Sequence, residues 1–458
     1  MTVSLGVFNH YHVDPASTNA SDPRHPRNFV RYAALLAPIT WLDRASWRLR
    51  KRSAWQLGKR LVAAFDDVGL LHPRWGSEAE LAVLRNNIQL FGNSIDQNPY
   101  ISAIGRFLLG KVMLGHLANR AAFIRFYEEN RDFIAEHGRY VAPVLVTGFP
   151  RTGTTLLQRL LSEDPNTRSP YTYELEKTTP PLRAHADPLR DARIEKSAAT
   201  LATLQRLAPG FVEKFSESHV WSATEREESL TYIQLHNGLN VMNAAQAGRS
   251  YLHSMMKPEV ADALFAYERN FFSMLDAFAP ARSHWTNKAP TYAPYFGKIF
   301  EHYPDARVVI THRHPGKNIA SVCRLLESWM LPFDEEGSFD KIRLGDILLD
   351  GLQVIFDAPM AYRIANPQRE SQIVDCLYSD LFSDPIGMVR QIYAKFNIPY
   401  TAAFEQRMRV YLANNQQGKY GRHKYSNDEY GFDPDRLAER LRGYYSKFGY
   451  GTKPQAHD

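Results

Sequence analysis

Cysteine is scarce in this chain: Cys323 and Cys376 are the only two among 458 residues. Two thiols so far apart give neither a metal-ligand spacing nor a disulfide framework. Both read as buried thiols, Cys323 in a helix and Cys376 in a strand, of a protein kept in a reducing cytoplasm. Long apolar runs are also missing. No stretch reaches the roughly 18 residues that a spanning helix needs. The opening residues Met1-Thr-Val-Ser-Leu-Gly-Val-Phe8 lack the basic start and apolar centre of a secretory signal. Lys and Arg form no long block beyond pieces such as Arg48-Leu-Arg-Lys-Arg52. The net charge of +6 and pI near 9.0 therefore point to a polyanionic ligand or an acidic surface rather than to nucleic acid. Internal repeats and low-complexity tracts are absent.

What remains is a chain of ordinary globular composition, long enough for two or three domains or subdomains. Residues 1–28 are rich in Asn, His, Asp and Pro and read as irregular. From 29 to 140 the apolar spacing is helical: Trp55, Leu57, Leu61 and Val62; then Leu81, Leu84, Ile88 and Leu90; then Ile104, Leu108, Leu109, Val112 and Leu117. Residues 1–140 thus form a mostly helical extension. Within it, residues 29–52 join an apolar stretch to Arg44, Arg48, Arg50, Lys51 and Arg52. That segment suits a helix packed on the core, a contact with a membrane surface, or a homo-oligomer contact.

A different pattern begins at residue 141. Val144-Leu-Val146 is a buried strand, Gly148-Phe-Pro-Arg-Thr-Gly153 a tight loop, and Leu156, Leu157, Leu160 and Leu161 one face of a helix. Gly-x4-Gly between strand and helix is the spacing of a phosphate-binding loop, whose curled N–H groups and helix N-terminus attract an anion. One residue departs from the nucleoside-triphosphatase pattern. Thr154 stands where that pattern needs Lys, and the cation is Arg151, inside the loop. Ordinary ATP or GTP hydrolysis is disfavoured accordingly.

Downstream, Ser169-Pro-Tyr-Thr-Tyr-Glu-Leu-Glu176 reads as the next parallel strand, ending near Glu174 and placing that carboxylate beside the anion. Residues 178–280 are a mostly helical insertion, aromatic-rich at Phe211, Phe215, Trp221 and Tyr232, as an acceptor lid or a core would be. Glu225-Arg-Glu-Glu228 reads as a solvated helix face. Lys288 lies at a strand end. Ala306-Arg-Val-Val-Ile-Thr311 is a buried strand leading into His312-Arg-His-Pro-Gly-Lys317 and a helix, a second basic strand-loop-helix. Where a triphosphatase would hold Mg²⁺ with an Asp, His312 and Arg313 stand as direct cationic contacts. Ser371–Leu381 reads as a strand, Gln417–Tyr425 as a basic loop closing on an anion, and Asp433-Pro434 as the cap of a last helix.

Phe149-Pro-Arg-Thr-Gly-Thr-Thr155 resembles the 5′-phosphosulfate loop of sulfotransferases, and Arg313-His-Pro-Gly-Lys-Asn-Ile-Ala-Ser321 resembles their 3′-phosphate motif. Val374-Asp-Cys-Leu-Tyr-Ser-Asp-Leu381 is similar to a later family strand, with Ser379 in place of a usual Glu. The loop with Gly418, Lys419, Gly421, Arg422 and His423 resembles the bacterial-type branch. The resemblance spans about 141–450. It implies a P-loop-like three-layer α/β fold with a central parallel sheet, an α/β core at 141–400 and a C-terminal cofactor-closing loop and helix at 401–458. It also implies 3′-phosphoadenosine-5′-phosphosulfate (PAPS) as sulfuryl donor, without a metal, and a small-molecule acceptor, apolar or amphipathic, that presents a hydroxyl or amine. Arg151, Thr152, Gly153, Thr154 and Thr155 would then hold the 5′ end, Arg313 and Ser321 the 3′-phosphate, with Lys419, Arg422 and His423 closing over. Glu174 is the expected base, His219 its rival, and Lys288 either steadies the sulfuryl or sits in a structural ion pair. Two other readings stand beside this one: a P-loop kinase and a non-catalytic nucleotide-binding, membrane-peripheral protein.

Overall fold

The protein is described by a computed structural model covering residues 36–50, 53–67, 75–140, 142–216, 219, 221–415 and 427–452. Its centre is a five-stranded sheet in the order β2-β3-β1-β4-β5. The strands are β1 (Val144–Gly148), β2 (Thr167–Arg168), β3 (His284–Lys288), β4 (Arg307–His312) and β5 (Ile373–Leu377), and every pairing is parallel. β1 is buried throughout. Its side chains alternate between two apolar layers, as a period of two requires. Val144 and Val146 join Leu157, Leu160 and Val309 on one face, while Leu145 joins Val308 and Ile310 on the other.

The chain leaves β1 for β2 and β3 on one side, then crosses back to β4 and β5 on the other. The carboxyl ends of β1 and β4 are therefore the point where the strand order reverses, and there a crevice opens for ligand. Gly148 pairs in register with Thr311, so the loop after β1 starts two residues from Arg313.

The N-terminal extension is helical where its periodicity predicts: α1 (Ala37–Arg50), α2 (Leu57–Asp66), α3 (Glu78–Gln97), α4 (Ala103–Glu129) and α5 (Arg131–His137). Ser77 and Glu80 form a capping box at the start of α3, each side chain taking an N–H the helix leaves open. The crossing of α2 on α3 is tight enough that a Cβ on Gly92 would lie 2.3 Å from the Gly58 nitrogen. These helices have no core of their own. Leu61, Phe91, Leu109 and Phe123 belong to one apolar cluster with Leu145, Ile310 and Phe356. Among the described residues no helix is long and apolar enough to cross a membrane.

After the loop come α6 (Thr154–Leu161) and α7 (Thr172–Glu176), then the insertion, with helices at Arg193–Leu207, Phe211–Ser216, Ser229–His236 and Pro258–Phe278. Both cysteines are buried and free, Cys323 in the helix Pro315–Met330 and Cys376 in β5.

Three sequence assignments are corrected. The strand expected to end at Glu174 is only Thr167–Arg168, and Thr172–Glu176 is a helical turn. The Glu174 carboxylate accepts the Tyr171 N–H (3.1 Å), and the next two N–H groups donate to the carbonyls of Glu225 and Ala223. The strand read over 371–381 stops at Leu377, where its partner β4 stops, and Tyr378–Ser383 is helical. Glu225–Glu228 is irregular chain rather than a helix, and none of its four side chains is exposed.

Candidate active site

The loop between β1 and α6 depends on three residues with positive φ: Gly148 (133°), Arg151 (69°) and Gly153 (93°). A Cβ on Gly148 would lie 2.4 Å from the Thr311 carbonyl oxygen, so only glycine fits there. Thr152 is expected to help hold the 5′ end, but its hydroxyl is buried and turned inward. It donates to the Phe149 carbonyl (2.6 Å) and meets the Thr311 hydroxyl, fastening the loop to β4. Only its N–H is left to contact an anion. Thr154 and Thr155 open α6 after Gly153, the first buried and the second half-buried.

The second basic loop sits beside the first. Arg313 donates through Nη1 to the Arg151 carbonyl (3.3 Å), and its guanidinium lies 3.9 Å from the Tyr378 ring centroid. Its Nε is buried and, among the described residues, meets no acceptor. A buried guanidinium N–H without an acceptor costs stability unless an anion supplies one, and this one fits a phosphate oxygen. Arg151 Nε donates to the Ser321 hydroxyl (3.2 Å), which joins the two loops directly. His312, expected to act as a cation here, does not. Its imidazole bonds Asp375 (2.8 Å) and the Tyr444 hydroxyl (3.0 Å). Burial lowers its pKa, outweighing the Asp375 carboxylate that opposes the shift. His314 caps the following helix, accepting the Gly316 N–H (3.0 Å), while its other nitrogen bonds the Gly451 carbonyl (2.8 Å).

On the β3 side a second charged group gathers. Lys288, paired in register with Val146, is buried, and its Nζ lies 2.9 Å from a Glu228 carboxylate oxygen. The neighbouring Glu227 is buried and takes His219 Nε2 at 2.5 Å and the Glu228 N–H at 2.7 Å. Gln158 of α6 donates to the Glu227 carbonyl (3.1 Å), which ties this group to the loop helix. Burial alone would raise the Glu227 carboxyl. His219 and Lys288 outweigh it and hold the group at about 2. Burial likewise lowers His219, but the Glu227 carboxylate, by charge and hydrogen bond, leaves its pKa above the ordinary 6.5. Phe215 lies 5.6 Å from the His219 ring, and Trp221 and Trp329 pack around Phe215. Glu176 lines the same wall, accepting from Trp221 (3.3 Å), from the Tyr232 hydroxyl (3.2 Å) and from Ser197, and burial raises its pKa.

Glu174 has both carboxylate oxygens occupied within the protein. It is fully buried in an ion pair with Arg168, whose guanidinium also donates to the Leu275 and Ala279 carbonyls and covers Trp285. Its second oxygen takes the Tyr171 N–H. Removing one partner of a buried pair typically costs about 3–5 kcal/mol. Glu174→Ala is therefore expected to lower the denaturation midpoint sharply. Glu174→Gln, which keeps an acceptor for the Tyr171 N–H, should cost less and leave turnover per folded molecule near wild type. A chemical denaturation series with parallel rate measurements checks both.

The sequence model of the sulfotransferase family matches residues 143–402, more than half of the chain. The chain belongs to the sulfotransferase family. Solved structures agree on the fold. The crystal structure of sulfotransferase STF9 from Mycobacterium avium aligns over 87% of this chain and 98% of that one, with a TM-score of 0.73 at 21% identity. That of sulfotransferase STF1 from Mycobacterium tuberculosis aligns over 84% and 98%, with a TM-score of 0.66 at 22% identity. No curated protein sequence is a match.

In this sulfotransferase the structure brings Arg151, Thr152, Gly153, Thr154, Arg313 and Ser321 together at the crevice, with Lys288 and His219 on its β3 side. Lys419, Arg422 and His423 lie outside the described residues. Sequence reasoning missed Glu227, Glu228 and Tyr378. Tyr378 was read only as part of the strand over 371–381. Nothing in one sequence pairs Glu228 with Lys288, sixty positions on.

Proposed function

We propose that this sulfotransferase moves a sulfuryl group from PAPS to a hydroxyl or amine of an apolar acceptor and releases adenosine 3′,5′-bisphosphate. The observation that carries the reading is the pair of cationic loops at the ends of β1 and β4, cross-tied by Arg151 and Ser321, with an unanswered buried N–H on Arg313. The donor supplies a phosphosulfate bond. The chain's residues bind both of its ends and neutralise charge on the leaving phosphate. Little covalent work is asked of the protein in such a transfer: positioning and charge stabilisation do most of it.

In this scheme Arg151 and the N–H groups of Gly153 and Thr154 hold the 5′ end, and Arg313 with Ser321 holds the 3′-phosphate, the planar guanidinium suiting two oxygens at once. Lys288, fixed by Glu228, steadies the sulfuryl oxygens. The base is assigned to His219 rather than to Glu174, whose two oxygens serve Arg168 and the Tyr171 N–H. Glu227 keeps the proton on His219 Nε2, which leaves Nδ1 as the basic nitrogen. The S–O bond to the donor phosphate breaks as one to the acceptor oxygen or nitrogen forms, and the acceptor proton passes to His219. Phe215, Trp221 and Trp329 beside His219 favour an apolar acceptor body.

Because the neutral imidazole is the active form, kcat/KM should rise with pH along an acid limb above 6.5, the ordinary histidine value. Glu227→Gln removes the charge that favours imidazolium, so the limb should move to lower pH. A limb that stays in place would remove Glu227 from the scheme. The donor is tested with labelled PAPS and with labelled ATP plus Mg²⁺. Phosphate transfer from ATP would overturn the reading.

A further inference from the structure

Three of the eight exposed large apolar side chains among the described residues lie on one helix, α1: Trp41 (71% exposed), Leu42 and Leu49 (83%). The helix is held firmly by its opposite face. Asp43 is buried and bonded to Arg106 of α4 (2.9 Å), to the Ser53 hydroxyl and to the Ala54 N–H, and Arg106 lies 5.5 Å from the Trp47 ring. Leu36 and Asp43 mark the inward stripe. Ala37, Pro38, Trp41, Leu42 and Leu49 are all exposed, and their spacing places them on one outward stripe. α1 is therefore apolar on a face that the described residues leave uncovered.

We propose that this face of α1 docks on an anionic lipid surface. Charge decides between occupants. The helix has one acid, Asp43, turned inward onto Arg106, whereas Arg44 is exposed at the edge of the stripe and Arg48 follows it by one turn in the sequence. In a twofold contact with a second copy, the same patch faces itself and sets Arg44 near its own counterpart, in a chain already at +6. Anionic headgroups answer the same charge while Trp41 and the two leucines enter the headgroup–acyl boundary. The 14-residue helix is too short to span. From α4 the contact continues inward: Ser102 donates to the Phe333 carbonyl (2.9 Å), and the Phe333 ring packs on Phe211 and Trp329. The docking face thus lies one helix layer from the aromatic wall beside His219.

The test is flotation of the full chain with vesicles of phosphatidylcholine, with and without phosphatidylglycerol, at low and high salt. The wild type should float with the anionic vesicles and lose binding as salt rises. Trp41→Glu with Leu49→Glu should weaken binding at least about tenfold, the scale expected for two lost apolar insertions. Its melting midpoint should not change, since both side chains are exposed. Arg44→Glu should reduce the preference for anionic over neutral vesicles. Absence of flotation overturns the proposal, as does binding unchanged in the double variant. It is equally overturned if the double variant halves the particle mass by light scattering, which would show that a second copy covers this face.

Discussion

Arg313→Ala is expected to weaken binding of adenosine 3′,5′-bisphosphate by about ten- to a thousandfold. The range follows from one or two charge-assisted hydrogen bonds at roughly 1.5–3 kcal/mol each, with about 1.4 kcal/mol per factor of ten. Calorimetric titration reads the effect directly. The variant should remain folded. Arg313 is half-buried, the hydrogen bond it loses to the Arg151 carbonyl is long (3.3 Å), and the contact with Tyr378 is worth on the order of 1 kcal/mol. Arg313→Lys should recover only part of the affinity, because a point charge cannot reproduce a planar fork. An unchanged dissociation constant in Arg313→Ala would show that the second basic loop does not hold the 3′-phosphate.

The second large effect is on rate. His219→Gln should lower kcat by about 10²- to 10⁴-fold, the usual contribution of a positioned base. Affinity for the bisphosphate should be unchanged, because the Arg151–Ser321–Arg313 group does not include His219. The acid limb of the pH profile should vanish with it. A stability effect accompanies the change. Glu227 is held at about 2 in the folded protein against an ordinary 4.5, so its contribution to stability is present above 4.5 and lost as pH falls toward 2. Part of that contribution comes from His219. The variant should therefore be less stable at neutral pH, with the difference narrowing in acid. If kcat is near wild type in His219→Gln, the proton goes elsewhere, and Glu176, with its raised pKa on the same wall, becomes the group to examine.

The parts of this site that were legible in the sequence share a physical character: they are local. β1, its loop and α6 announce themselves by a period that switches from two at Val144 and Val146 to the helical spacing of Leu157, Leu160 and Leu161. Arg313 was legible because a buried strand fixes where the second basic loop begins, whereas Ser321 was named only through the resemblance to the family's 3′-phosphate motif. What failed was non-local or too short to show periodicity. β2 has two residues, and no alternation can be read from two. Glu174 looked like a strand-end carboxylate because 169–176 read as the next parallel strand, and nothing in the sequence pairs it with Arg168. The run Glu225–Glu228 looked solvated because its partners are distant in sequence: Arg159 for Glu225, Lys288 for Glu228. His312 was expected to be a cation, but burial and the claims of Asp375 and Tyr444, on later elements, take its ring out of that role.

The two bonds of Arg151 link the loops thermodynamically. Arg151 gives its guanidinium to Ser321 and its carbonyl to Arg313, so the loop after β1 and the loop after β4 do not move independently. A nucleotide that engages both must rearrange a single shared network once. A ligand with only one of the two phosphates must make the same rearrangement for half the return. The two ends of the donor are then recognised non-additively, and affinities measured on 3′- and 5′-monophosphates will sum to less than the affinity of the bisphosphate.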